Sequence, residues 1–204
     1  MKIANVKYPG MKRLGEVVMS TTTYNPKSGT VKRQAHPSVM VIDYDPTITV
    51  ADHKHESSRV YWVVVDGEIV KIGGSNAKNG ITGTISAYLG GTKNSGRGPG
   101  KGNSPRTYSV SKYMLECLKA GQKVEIYFAN LPQTTLPVYD SRGQIISTQL
   151  VGAAFHDFET ALVDEHKNLE GKYPFLNPQE ASEKWSEMQH PITGVSLIEG
   201  HAGL

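Results

Sequence analysis

The sequence predicts an α+β fold in which a small antiparallel sheet is flanked by helices, and three observations predict it. Residues 59–75 (R-V-Y-W-V-V-V-D-G-E-I-V-K-I-G-G-S) set two runs of strand formers on either side of Asp66 and Gly67, the strongest short-range signal for a two-residue hairpin. Residues 123–129 (K-V-E-I-Y-F-A) alternate with the period of a strand. Residues 109–120 and 153–169 instead carry apolar side chains three and four positions apart, the spacing of a helix with one buried face.

Residues 1–58 hold short extended pieces, 15–23, 39–44 and 47–50, broken by Pro9, Pro26, Pro37 and Pro46. This N-terminal extension reads equally as an arm reaching round DNA or a partner subunit and as extra strands on the core sheet. Lys27, Lys32, Arg33 and His36 make the loop after its first piece basic. His53 and His55 are spaced to share one face of a strand, yet they lack a full ligand set nearby and read as surface histidines. Within the hairpin, composition alone reads Tyr61 as core packing and Lys71 as a solvated strand end.

After the hairpin, Gly73-Gly74-Ser75 lacks the spacing and the Lys-Ser/Thr ending of a nucleotide-binding loop, which excludes that function. A short helix is expected over 84–89, opened by Thr82 or Thr84 as N-cap. Residues 90–106 (G-G-T-K-N-S-G-R-G-P-G-K-G-N-S-P-R) are polar, Gly-rich and cationic, a loop suited to ordering on a nucleic-acid backbone. The helix over 109–120 carries Val110, Tyr113, Met114, Cys117 and Leu118, with Gly121 as a natural C-cap. Cys117 is the one cysteine, so an internal disulfide and a multi-cysteine zinc site are excluded and a buried structural thiol is expected.

A second hairpin is expected across Asp140-Ser141-Arg142-Gly143. The longest helix, 153–169, aligns Phe155, Phe158, Leu162 and Val163, with His166 and Leu169 continuing the stripe and Glu159 beside it, and it ends near Gly171. Beyond Glu180 there is one short helical piece around 185–188 and little else.

A chain of 204 residues can bury one good core. Its net charge of +3 hides an asymmetry: between Ile69 and Leu115 there is no Asp or Glu, while Lys71, Lys78, Lys93, Arg97, Lys101, Arg106 and Lys112 are all basic. Such a one-sided field suits a polyanion, because neutralising phosphates and releasing their counterions supplies most non-specific nucleic-acid affinity. No signal peptide or long apolar span is present, so a soluble, intracellular protein is expected.

The order is hairpin, helix, basic loop, helix, strand, long helix with an acid, then Leu176-Asn177. In that order the chain resembles the GIY-YIG nucleases, most closely their restriction enzymes and phage endonuclease II. Val60-Tyr61-Trp62 stands where that family has G-I-Y, and Lys71-Ile72-Gly73 where it has Y-I-G. Residues 118–127 (L-K-A-G-Q-K-V-E-I-Y) resemble its passage from helix to third strand, Asp157-Phe158-Glu159 its late-helix acid, and Asn177 its terminal asparagine. The resemblance implies a three-stranded antiparallel sheet within a core at 59–180. Insertions at 90–106 and 133–151, the N-terminal extension 1–58 and a C-terminal tail 181–204 complete the organisation.

The resemblance also implies a chemistry. Hydrolysing a phosphodiester needs a deprotonated water and positive charge on the developing phosphorane. Glu159 matches the single ligand of one Mg2+ (or Mn2+) per active site. Tyr61 matches the tyrosine that activates the water, although a phenol of pKa about 10 is a poor base without a cation beside it. Lys71, replacing the usual tyrosine of the second motif, is expected to be that cation. Tyr88 matches a helical position that contacts the scissile phosphate, and Gly73 and Asn177 match structural positions. The family arginine falls on Thr84, for which three explanations stand: an engineered change, substitution by Lys78 or Arg106, or DNA binding without efficient cutting. Lys78, Lys93, Arg97, Lys101, Arg106 and Lys112 are the expected DNA-binding cations. The implied partner is double-stranded DNA, met by a homodimer or homotetramer in the cytoplasm of a bacterial or phage-infected cell. The alternative is a non-catalytic DNA-binding module on the same fold.

Overall fold

The computed structural model describes residues 1–19, 23–25, 30–32, 40–90, 104–152, 155–177 and 187–199. Its strands are β1 (Lys12–Met19), β2 (Thr23–Asn25), β3 (Thr30–Lys32), β4 (Met40–Tyr44), β5 (Arg59–Val65), β6 (Glu68–Ser75), β7 (Val124–Asn130), β8 (Gln133–Tyr139) and β9 (Ile145–Gly152). Its helices are α1 (Val50–His53), α2 (Gly80–Leu89), α3 (Pro105–Lys119) and α4 (Phe155–Glu170). Among the described residues, no helix is long and apolar enough to cross a membrane.

The Asp66-Gly67 turn takes up the left-handed backbone that this hairpin type needs, with φ of 49° and 83°. It joins β5 to β6 in a five-stranded antiparallel sheet of order β4-β1-β7-β5-β6. The three strands expected of the core are contiguous in it. The N-terminal segment contributes extra strands, because β1 pairs with β7 and β4 extends the sheet beyond β1.

Strand β5 is buried at every position, and its period of two divides the core in half. Tyr61, Val63 and Val65 join Ile81, Ile85, Val110, Met114 and Cys117 on the face covered by α2 and α3. Val60, Trp62 and Val64 join Ile72 and Val163 on the face covered by α4, where Phe155, Phe158 and Leu162 pack in part. Trp62 is wholly buried, and truncating a side chain of that size costs about 3–5 kcal/mol.

The edge strand β6 does not end in open hydrogen bonds. The segment after α4 runs along it: the Leu176 amide donates to the Val70 carbonyl at 2.7 Å. The Asn177 side chain accepts from the Ile72 amide at 3.0 Å and donates to the Ile72 carbonyl at 2.9 Å. Asn177 thus covers the edge as a neighbouring strand would.

Several local expectations are corrected. Helix α2 begins at Gly80, ahead of both expected caps. Gly80 has φ of 69°, and a Cβ there would collide with the His53 carbonyl, so glycine is required. Thr82 and Thr84 lie inside the helix, where the Thr84 hydroxyl donates to Ser75 Oγ at 2.6 Å. Helix α3 begins at Pro105, capped by Ser104, whose hydroxyl accepts from the Thr107 amide at 3.2 Å. Arg106 therefore belongs to a helix, not to the loop.

Residues 47–50 are not extended, because Thr49 forms a capping box with Asp52 and opens α1. His53 and His55 consequently share no strand face; His53 meets Thr82 Oγ1 and His55 meets Ser57 Oγ, each at 2.8 Å. Leu169 is 65 % exposed and rims a surface groove beside Val6 and Tyr8. Residues 187–199 are more than a tail: Met188 and Leu197 enter the core, Gln189 bridges Ser196, and His190 lies 3.2 Å from the buried Cys117 thiol. The expected hairpin across 140–143 does form, as β8 and β9 pair in a ribbon separate from the main sheet.

Candidate active site

Two adjacent glycines shape the end of the β5–β6 hairpin. Gly73 is the cross-strand partner of Tyr61, and a Cβ on it would run into the Tyr61 ring and hydroxyl. Glycine is what lets the phenol lie across β6. On the opposite face, a Cβ on Gly74 would strike the Phe155 ring and sit 3.0 Å from Glu159 Oε2. The Gly74 amide donates to that same carboxylate oxygen at 2.9 Å. The pair Gly73-Gly74 thus admits a phenol from one side of the sheet and a carboxylate from the other at a single strand end.

Helix α2 adds Tyr88, whose hydroxyl lies 2.6 Å from that of Tyr61, with ring centroids 6.2 Å apart. Both tyrosines are buried. Burial pushes the Tyr61 phenol well above its ordinary value, with Tyr88 and the Glu159 charge adding to the rise and the Arg106 charge opposing it. Burial raises Tyr88 as well, again against Arg106. The first turn of α3 brings Arg106, with Nη2 at 3.4 Å from Glu159 Oε1.

These four side chains, with Ser75, Thr84, Ala87, Thr107, Phe155 and His156, line one open cleft of about 380 Å3. Tyr61, Thr84, Tyr88, Arg106 and Glu159 are thereby brought together from β5, α2, α3 and α4. Lys71 is not. A bulge at Val70 sets Lys71 opposite Val63, on the buried face. Its side chain is fully buried, and Nζ donates to the Leu176 carbonyl at 3.2 Å. The expected solvated strand end is thus an interior lysine. The Arg106 charge opposes the rise of the Tyr61 pKa.

Lys78 lines a separate depression with Lys54, Glu56 and Asn79. Lys112 donates to the Glu199 carbonyl at 2.6 Å, toward the C-terminal segment. Lys93, Arg97 and Lys101 lie outside the described residues. Sequence reasoning missed His156, which lines the cleft and immediately precedes the Asp157-Phe158-Glu159 run. It also missed Arg59, which is fully buried at the start of β5. The Arg59 guanidinium donates to the carbonyls of Ala77 and His55 at 3.0 Å each and to that of Ser57. Five donors in a rigid fork suit it to gathering loop carbonyls, a role that spacing does not reveal.

Among the described residues, no group of three or more His, Cys, Asp or Glu side chains could hold a metal ion. Glu159 offers the cleft's anionic oxygens. That donor set does not fit a preformed multi-ligand cage. A single carboxylate does fit a hard ion that keeps most of its waters.

No protein-family model matches the chain, and no curated protein does. Among solved structures it is similar to restriction endonuclease HPY188I in complex with product DNA, at 21 % identity and a TM-score of 0.44, covering 85 % of this chain and 84 % of that one. It is also similar to a mutant of bacteriophage T4 EndoII, at 17 % identity and a TM-score of 0.39, covering 78 % of this chain and 87 % of that one.

Proposed function

We propose that this chain is a divalent-metal-dependent, site-specific endonuclease of the GIY-YIG type, hydrolysing phosphodiester bonds in double-stranded DNA. The observation that carries this reading is the convergence, in one open cleft, of the Tyr61–Tyr88 hydroxyl pair with the Glu159 carboxylate. These groups come from three elements distant in sequence, and neither a core-packing tyrosine nor a solvated helix acid accounts for their meeting. Gly73 and Gly74 fit the same reading, since they are the positions whose side chains would block it.

Each group has a part. Glu159, steadied by the Gly74 amide, holds Mg2+ or Mn2+, which when bound supplies positive charge to the phosphate and its leaving oxygen. Once its own proton has been lost to solvent, the Tyr61 phenolate receives the proton of the attacking water, and the Tyr88 hydroxyl orients that oxygen by donating to it. Because burial favours the protonated phenol, Tyr61 works as a base only while cations stand beside it. Duplex DNA has two strands and each chain one such cleft, so a double-strand break calls for a homodimer or homotetramer.

Incubating the protein with supercoiled plasmid and Mg2+ or Mn2+, beside a Glu159→Ala control, tests the reading. Cutting that disappears in the control supports it. Gel retardation with no cutting identifies instead a DNA-binding module on this fold, the reading favoured by the uncharged Thr84 in the cleft wall.

A further inference from the structure

We propose that Arg106 is the guanidinium that grips the phosphate in this cleft. It supplies from the first turn of α3 the positive charge that Thr84 does not supply from α2. Its contact with Glu159 is the resting arrangement, left behind when a phosphate enters. This rests on the nuclease reading for its catalytic consequence, although the phosphate contact itself is tested separately.

The contact with Glu159 is poorly formed. It is a single approach at 3.4 Å, whereas a well-made guanidinium–carboxylate pair is bidentate at about 2.7–2.9 Å. Arg106 Nε is buried with no hydrogen-bond partner among the described residues. A planar fork of Nε and Nη donors matches two phosphate oxygens, so Nε becomes the second half of such a grip once the side chain leaves Glu159 and turns toward the cleft. The side chain is 39 % exposed and lines the open cleft.

Two further cations are directed elsewhere: Lys78 to its own depression and Lys112 to the Glu199 carbonyl. The first turn of α3 carries no acid, so the positive end of that helix adds to the charge of Arg106. Thr84, one helix away, donates its hydroxyl to Ser75 and brings no charge.

The experiment combines two readouts on wild type, Arg106→Gln, Arg106→Lys and the double variant Arg106→Gln/Thr84→Arg. Affinity for a labelled duplex is measured in EDTA across a salt series, and single-turnover cleavage is measured with Mg2+. Losing one phosphate contact lowers the slope of log affinity against log salt by about one; Arg106→Gln is expected to do this and to slow cleavage about 100-fold. Arg106→Lys, which keeps the charge and the fold, is expected to restore the slope but only part of the rate. Thr84→Arg is expected to recover at least about tenfold of the lost rate, about 1.4 kcal/mol. An unchanged slope in Arg106→Gln overturns the proposal even if cutting falls, because a residue that merely aligned Glu159 would not move it. A slope lowered by one in a protein whose wild type never cuts leaves the phosphate contact standing and removes the nuclease reading.

Discussion

The hydroxyl oxygens of Tyr61 and Tyr88 lie 2.6 Å apart, so one phenol donates to the other inside a wall of buried aromatic surface. Both are held protonated at neutral pH, since burial raises each above its ordinary value of 10.0. If Tyr61 takes the water's proton, its phenolate fraction limits the rate and grows about tenfold per pH unit below its pKa. Single-turnover cleavage is therefore expected to climb steadily from about pH 6 to about pH 9 without levelling. A plateau below about pH 8 identifies a different base.

The Cys117 thiol, buried beside Tyr113 and His190, is pushed up by burial from 9.0 to about 12. A group whose folded value lies above its unfolded one contributes stability that is complete below the unfolded pKa and is lost as pH rises toward the folded pKa. The melting temperature is expected to fall progressively above about pH 9. Cys117→Ala is expected to flatten the first part of that fall, as read by circular dichroism across a pH series.

Substituting either glycine at the strand end is expected to separate packing from placement. Gly73→Ala drives a methyl group into the Tyr61 ring, an overpacking that costs about 1–3 kcal/mol. Gly74→Ala meets Phe155 and Glu159 instead and is expected to lower cleavage by displacing the carboxylate. Urea titrations and cleavage rates on the two variants check this; equal stability and activity to wild type in both would mean that the phenol and carboxylate have no need of this strand end.

Asn177→Ala strips the Ile72 amide and carbonyl of their partners at a buried edge. The expected cost is about 1–3 kcal/mol, with faster amide exchange at Ile72 than at Val63 on the interior strand β5. Exchange that is unchanged at Ile72 would mean that the segment after α4 does not close the edge.

The sequence made the hairpin, the helix over α3, strand β7 and the long helix readable because each is written locally, in a turn dipeptide or a repeating spacing. Tyr61, Tyr88 and Glu159 were singled out only by a resemblance in the order of motifs, since composition reads Tyr61 as core packing and no local period tells that three elements will meet. Composition misread Lys71 as a solvated strand end because its burial depends on a bulge at Val70 and on a carbonyl 105 residues away. The N-terminal strands stayed open between arm and sheet for the same reason: apolar alternation says that a strand forms, not which edge accepts it. Arg106 was named among the candidate cations, but its place in a helix was hidden by the Gly-rich run before it, which masked the Ser104-Pro105 helix start.

The central claim is that Tyr61 and Glu159 act on one phosphate. It is tested most directly by single-turnover hydrolysis of a labelled duplex in Mg2+, comparing wild type with Tyr61→Phe and Glu159→Gln at protein concentrations that saturate binding. The account predicts cutting by the wild type and a fall of about 100-fold or more in each variant, with the duplex still bound. A wild-type rate in either variant would contradict it.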